Sequence, residues 1–312
     1  MEIKSLNIGG LTTKNNVFFA PLAGFSTKQM RSICYQLGAG LCFTEMVSCK
    51  GLKFGSSGTC ELLELAENEY LPAVQVFGND KDIMLEACQS ESLKPFKIVD
   101  INMGCPVPKV FNNGEGSALM KNVDLAQKIV ENLVKSGKVI TVKMRAGIKK
   151  GEKTALILAK AVEDAGAKMV TVHGRCREDY YSGEVDFDLI AKIKQNAKIP
   201  IIANGGVFTK KDADILMERT GADGVMVARG ALFNPFLISE LLNLSPKMTK
   251  KELIINHIER VVLDESEERA IIKMRKQLAY YLNGVRGAKQ IKPALFTAVT
   301  KSEVLKLINT IM

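Results

Sequence analysis

The chain has 312 residues, of which 46% are hydrophobic and 25% charged, with a net charge of +9. That balance excludes a disordered or fibrous chain and suits one large barrel plus a modest second domain. No apolar run approaches the roughly 18 residues that span a bilayer, and Met1–Leu6 lacks the apolar core and cleavage site of a signal peptide, so the expected location is the cytoplasm.

In chain order, short β-branched or apolar runs predict strands at Val17–Ala20, Leu41–Glu45, Ala73–Phe77, Ile98–Asn102, Ile140–Lys143, Met169–His173, Ile201–Ala203 and Gly224–Ala228. Segments of helical period separate them. Val123–Ser136 sets Val123, Ala126, Ile129, Val130, Leu133 and Val134 on one face, and Ala155–Ala165, Asp188–Gln195 and Lys210–Arg219 have the same character. Eight strands with helical crossovers fit a (β/α)8 TIM barrel, and a doubly wound sheet is the alternative. The unusual residues decide between them. Pro21, Glu45, Gln75, Asn102, Lys143, His173, Asn204 and Arg229 each stand at or just past the C-terminal end of a different strand. A barrel gathers those ends into one ring, whereas an open sheet scatters half of them. The barrel is the expected fold.

Asn243-Leu244-Ser245-Pro246 reads as a linker, dividing a barrel domain at 1–243 from a small all-helical domain at 244–312 with helices at Lys250–Leu263, Glu267–Asn283 and Ser302–Ile311. Residues 245–312 hold 13 Lys/Arg against 7 Asp/Glu, so most of the net charge sits there. Charge alone favours the plain reading, a solvated helical surface; the functional reading is a polyanionic partner.

Five loops carry candidate chemistry. Gly205-Gly206 and Ala228-Arg229-Gly230 follow strands seven and eight, the usual phosphate position in barrels, where glycines admit phosphate oxygens to backbone N–H groups. Lys143 and Arg145 end strand five pointing the same way by alternation, and Lys143 either stabilises an anionic ring or pairs with a barrel carboxylate such as Glu45. His173 ends strand six, with Arg175 and Arg177 after it; a satisfied core histidine and a member of an anion-facing loop are both open. Asn102-Met103-Gly104-Cys105-Pro106 presents a thiol on a stiff turn. With an ordinary pKa of about 8.5 such a thiol keeps its proton at neutral pH and serves as a general acid, unless it is only a structural cysteine. The seven cysteines form no Cys-x-x-Cys pair and there are only two histidines, so no metal site is expected and most of the thiols read as small buried hydrophobes.

These pieces, with Ala20-Pro21-Leu22-Ala23-Gly24-Phe25-Ser26, Thr44-Glu45-Met46, Gln75-Val76-Phe77-Gly78, Tyr181-Ser182-Gly183, Asn204-Gly205-Gly206 and the later Arg275-Lys276 and Tyr281-Leu282-Asn283-Gly284, stand in one family's order. The ordered set resembles the bacterial tRNA-dihydrouridine synthases from end to end, nearest their B-type branch. The resemblance implies an FMN-dependent barrel, recharged by NADPH, that reduces the C5=C6 bond of uridines in tRNA. Cys105 would be the proton donor. Pro21, Leu22, Ala23, Gln75, Lys143 and His173 would contact the flavin, and Asn204, Gly205, Gly206, Ala228 and Arg229 its phosphate end. Asn102, Arg145 and Arg175 would face a uridine extruded from the RNA. Gly206 replaces an Asp, Leu22 a Met and Cys176 a Thr common in the family, and Cys176 receives no role. Ribosomal RNA is an alternative substrate. So is a free pyrimidine, in the manner of dihydroorotate dehydrogenase, although that chemistry has no need of the basic tail; a non-catalytic RNA-binding scaffold has no need of the converging polar groups. A monomer is the default expectation.

Overall fold

The computed structural model describes residues 1–312. Eight parallel strands close into a barrel: β1 (Val17–Phe19), β2 (Leu41–Ser48), β3 (Ala73–Phe77), β4 (Ile98–Met103), β5 (Val139–Arg145), β6 (Val170–His173), β7 (Ile201–Asn204) and β8 (Gly224–Val227). Each pairs in parallel with the next, and β8 returns to β1 through Val225–Val227 beside Val17–Phe19. A short antiparallel hairpin, Asn7–Ile8 with Leu11–Thr12, lies under the barrel.

Strand alternation sorts the side chains into two cores. Ile98 belongs to a small interior cluster with Leu6, Ile8, Phe18, Leu41, Phe43, Met169, Ile202 and Met226, which plugs the lower barrel. Val99, Ile101 and Met103 belong to the large outer core between strands and helices. Asp100 and Asn102 therefore face inward, above the apolar plug, and Gln75 and Thr141 flank Asp100 in register. The polar layer and the rim above it are all that remains of the barrel interior for chemistry.

Several bounds differ from expectation. β2 runs on to Ser48 and β5 spans Val139–Arg145, because a partner strand's ladder extends a strand beyond its apolar run. In β2 the register shifts between Phe43 and Met46. Such a bulge changes which residues face inward. Two short helices, Cys49–Lys53 and Ser57–Glu61, follow β2 where no helical period was evident.

From residue 250 onward the chain is helical, with helices Lys250–Asp264, Glu267–Tyr281, Ala288–Thr297 and Lys301–Asn309. The third, where no helix was expected, contains Pro293 and follows Gly287, both of helix-breaking type. Pro293 is the sixth residue of that helix, past the first turn, so it removes one internal hydrogen bond without ending the helix. Ile258, Leu278, Tyr281 and Ile308 belong to the same apolar core as the barrel's outer layer. His257 and Tyr281 meet inside it, Nδ1 to hydroxyl at 2.9 Å, and the hydroxyl donates to the Met30 sulfur at 3.5 Å. No helix is long and apolar enough to cross a membrane.

Candidate active site

The C-terminal ends of the strands surround a cavity of about 360 Å³, within the roughly 300–1,000 Å³ typical of small-molecule sites. Its wall includes Pro21, Leu22, Ala23, Gln75, Asn102, Cys105, Lys143, Arg145, His173, Arg175, Asn204, Gly205, Gly206, Ala228 and Arg229, so the fold brings these sequence-derived candidates to one place and leaves Glu45 and Arg177 outside the wall. It has four cationic side chains, Lys143, Arg145, Arg175 and Arg229, and no carboxylate. A cavity so charged suits an anion.

The rim after β7 and β8 is shaped for one. Gly205 and Gly206 adopt φ of 123° and 72°, in the region that favours glycine, and a Cβ on Gly205 would stand 2.8 Å from the His173 ring. Their N–H groups donate to no acceptor in the chain. Gly230 lets this loop approach the next: a Cβ there would lie 2.2 Å from the Val207 carbonyl oxygen. Two free N–H groups beside Arg229 and Arg175 form a donor cradle of the kind that binds phosphate oxygens. The residues present therefore fit a phosphorylated cofactor.

Lys143 reaches across the barrel to donate to Asn204 Oδ1 at 3.1 Å, and Asn204 Nδ2 donates to the Met226 carbonyl at 2.7 Å. The alternative pairing with Glu45 is not made. The β2 bulge turns Met46 into the cavity, while Glu45 accepts from the Gly24 N–H and lines the neighbouring cleft. Burial, then the Arg145 charge, holds the Lys143 ammonium down to about 8. His173 is buried among Arg145, Lys143, Arg175 and Arg229; burial first and those charges next push its pKa well below the ordinary range. A neutral ring results, with Nε2 at 3.4 Å from Arg175 Nη1.

Cys105 is 7% exposed on the turn after β4. Burial raises its thiol pKa, against the pull of the Val107 N–H and of Arg145, Arg177 and Lys143. The thiol keeps its proton at neutral pH. The turn is clamped from both sides. Arg145 Nε donates to the Gly104 carbonyl at 2.9 Å, and Ser117 Oγ to the Cys105 carbonyl at 2.6 Å. Asn102 Oδ1 accepts from the N–H groups of Gly104 at 3.1 Å and Cys105 at 2.8 Å. Asn102 thus spends its oxygen on the turn rather than offering it to a ligand. Cys176 lies one loop away, its carbonyl accepting from Arg145 Nη1 at 2.9 Å.

Three further contributors, Tyr181, Met46 and Phe208, had been assigned no role. Tyr181 lies over the mouth, its ring 4.4 Å from the Arg229 guanidinium and 5.9 Å from that of Arg145. Arg175 Nε holds the same loop by the Gly183 carbonyl at 2.9 Å. Met46 and Phe208 complete the apolar wall. An aromatic residue just after two arginines of the same loop, Arg175 and Arg177, is a usable signal for Tyr181; Met46 depends on a bulge that no periodicity reveals.

This is a (β/α)8-barrel enzyme with a cationic cavity at the usual end of the barrel. Solved structures with the same fold include histamine dehydrogenase from Rhizobium sp. 4-9, at a TM-score of 0.58 and 15% identity over 82% of this chain and 50% of that one. A variant of NCR from Zymomonas mobilis aligns at a TM-score of 0.57 and 17% identity, over 79% of this chain and 92% of that one. Sequence is more specific. Residues 18–312 match the family described as dihydrouridine synthase. The tRNA-dihydrouridine synthase B of Pasteurella multocida is 35% identical over 305 residues, covering 95% of this chain and 92% of that one, and a probable tRNA-dihydrouridine synthase of Rickettsia bellii is 34% identical over 301 residues, 93% and 92%. The chain belongs to the dihydrouridine synthase family.

Proposed function

We propose that this enzyme reduces the C5=C6 bond of particular uridines in tRNA to 5,6-dihydrouridine, with flavin mononucleotide as resident cofactor and NADPH as reductant. The observation that carries the reading is one cavity combining four cations, two unclaimed N–H groups and a protonated thiol, without a carboxylate. Gly205, Gly206, Ala228 and Arg229 hold the cofactor's phosphate, with Asn204 at the same edge. Gln75, Lys143 and His173 contact its ring, and Pro21, Leu22 and Ala23 support it. A flavin held there would supply, in its reduced form, the hydride for uracil C6.

The chain's own groups do the rest. Cys105 gives its proton to C5, and the thiolate left behind recovers a proton from solvent. Lys143 meets negative charge that accumulates on the ring. The neutral His173 adds no further positive charge to a crowded site. Arg145 and Arg175 edge the place of the extruded base, and Asn102 acts on it through the Cys105 turn. Residues 1–243 form the catalytic unit and 244–312 the RNA-binding unit, which holds the RNA backbone by charge while the target base leaves its stack. One chain contains the whole site, so a monomer suffices, working in the cytoplasm with its substrate.

The test is to map dihydrouridine in RNA from cells with and without the gene, and to assay the purified protein with NADPH. The reading expects a bound yellow cofactor and the loss of dihydrouridine at defined tRNA positions. A colourless protein, or unchanged tRNA with a changed ribosomal RNA or free pyrimidine pool, contradicts it.

A further inference from the structure

Asp100 is buried in the middle of β4 and takes no part in the cavity wall. Its two oxygens are both engaged: Oδ1 accepts from Thr141 Oγ1 and Oδ2 from Gln75 Nε2, each at 2.7 Å. Gln75 Oε1 in turn accepts from Asn102 Nδ2 at 2.7 Å. Asn102 Oδ1 then holds the two N–H groups of the Cys105 turn. One unbroken line of buried hydrogen bonds joins Thr141 to the backbone of Cys105.

We infer that Asp100 is a positioning residue: it is the terminal acceptor that fixes the direction of both amides in this line and so holds the turn that presents Cys105. The reason is polarity. A primary amide donates at one end and accepts at the other, so a chain of amides has a direction set by its termini. At the rim, the N–H groups of Gly104 and Cys105 only donate, and they require the Asn102 oxygen. Asn102 must then donate to Gln75, and Gln75 must donate to whatever lies beneath it. A carboxylate with Thr141 on its other oxygen meets that requirement without ambiguity. With an apolar side chain at position 100, the Gln75 N–H is orphaned in the barrel interior, and rotating Gln75 to satisfy it removes the acceptor for Asn102. The disturbance therefore travels to a turn in another layer of the barrel.

The inference rests on the proposed role of Cys105 for its purpose, but its test does not need RNA. The rate of iodoacetamide alkylation at Cys105 is followed by peptide mass spectrometry in the purified protein at neutral pH and equal flavin content, with exposed Cys60 as internal reference. Asp100→Leu is expected to alkylate Cys105 about tenfold faster, the equilibrium equivalent of one lost buried hydrogen bond. Asp100→Asn stays near the wild-type rate, since its carbonyl oxygen still accepts from Gln75. Gln75→Leu accelerates like Asp100→Leu, and the double variant goes no faster than Gln75→Leu alone, because the two act in series. If Asp100→Leu does not fold, Gln75→Leu and Asp100→Asn carry the same comparison. A wild-type rate in folded Asp100→Leu or Gln75→Leu, an accelerated rate in Asp100→Asn, or additive effects in the double variant would overturn the relay. Loss of the relay with uridine reduction intact, or the reverse, separates this inference from the proposed function.

Discussion

At Cys105 two opposed influences act on one thiol. Burial lifts its pKa and the surrounding cations draw it back, and the net direction is upward. The thiol keeps its proton at neutral pH and turns into a thiolate only in alkali, so in the proposed role its proton delivery would fail as pH rises. Lys143 shifts the other way. Its ammonium, held to about 8, is charged below that value and neutral above it. Uridine reduction is therefore expected to decline as pH passes about 8, and Lys143→Gln should remove that limb while slowing the reaction by about 10²-fold, the usual cost of one preorganised donor. A pH–rate profile of the two proteins checks this; identical alkaline limbs contradict it. The residues legible in the sequence were those whose chemistry is uncommon in their setting, such as a lysine ending a buried strand. Asp100 carried the same signal, a carboxylate inside an apolar run, but its partners Gln75 and Thr141 lie on neighbouring strands and only register brings them together. Glu45 was misplaced because alternation fails at the β2 bulge.

Elements show why the loops matter as much as the strands. The loops after β7 and β8 approach so closely at Gly230 that any side chain there meets the Val207 carbonyl. Gly230→Ala is expected to spread the two loops and lose the resident flavin on purification, read by visible absorbance, while the circular dichroism spectrum stays native. Full retention of flavin would show the cradle to be more tolerant than its geometry. Strand order and the barrel were readable because eight strand ends carried eight odd residues. Helix Ala288–Thr297 was not, since Gly287 and Pro293 mimic a break whose cost tertiary packing of Ile291 and Leu295 offsets. In the helix Lys250–Asp264, burial and the nearby Arg260 hold His257 down to about 3. The folded state refuses a proton that the unfolded chain accepts near its ordinary value of about 6.5. Stability is then complete above that pH and lost below it, by about 2 kcal/mol for this group at pH 5. Urea unfolding at pH 7 and 5 should show His257→Gln losing less on acidification than the parent protein, whatever its stability at pH 7; an equal loss contradicts the account.

On the scale of the whole molecule, charge and cavity divide the labour. The cations inside the barrel line a cavity proposed to hold a small anion, whereas cations on the C-terminal helices face outward. Lys276, Arg286 and Lys289 are exposed and make no ion pair, in contrast to Arg269, Lys273 and Lys301, which do. Replacing each of the first three by Ala should weaken tRNA binding and reduce the salt dependence of the binding constant by about one unit of log–log slope per residue engaged with phosphate. Unchanged slopes would move the RNA to another face. The central claim is that one thiol on the barrel rim completes the reduction of a base extruded from RNA. Its most direct test compares the two half-reactions in Cys105→Ala. The account predicts a protein that keeps its flavin and oxidises NADPH at the parent rate, yet forms almost no dihydrouridine in tRNA; dihydrouridine formation at the parent rate would contradict it.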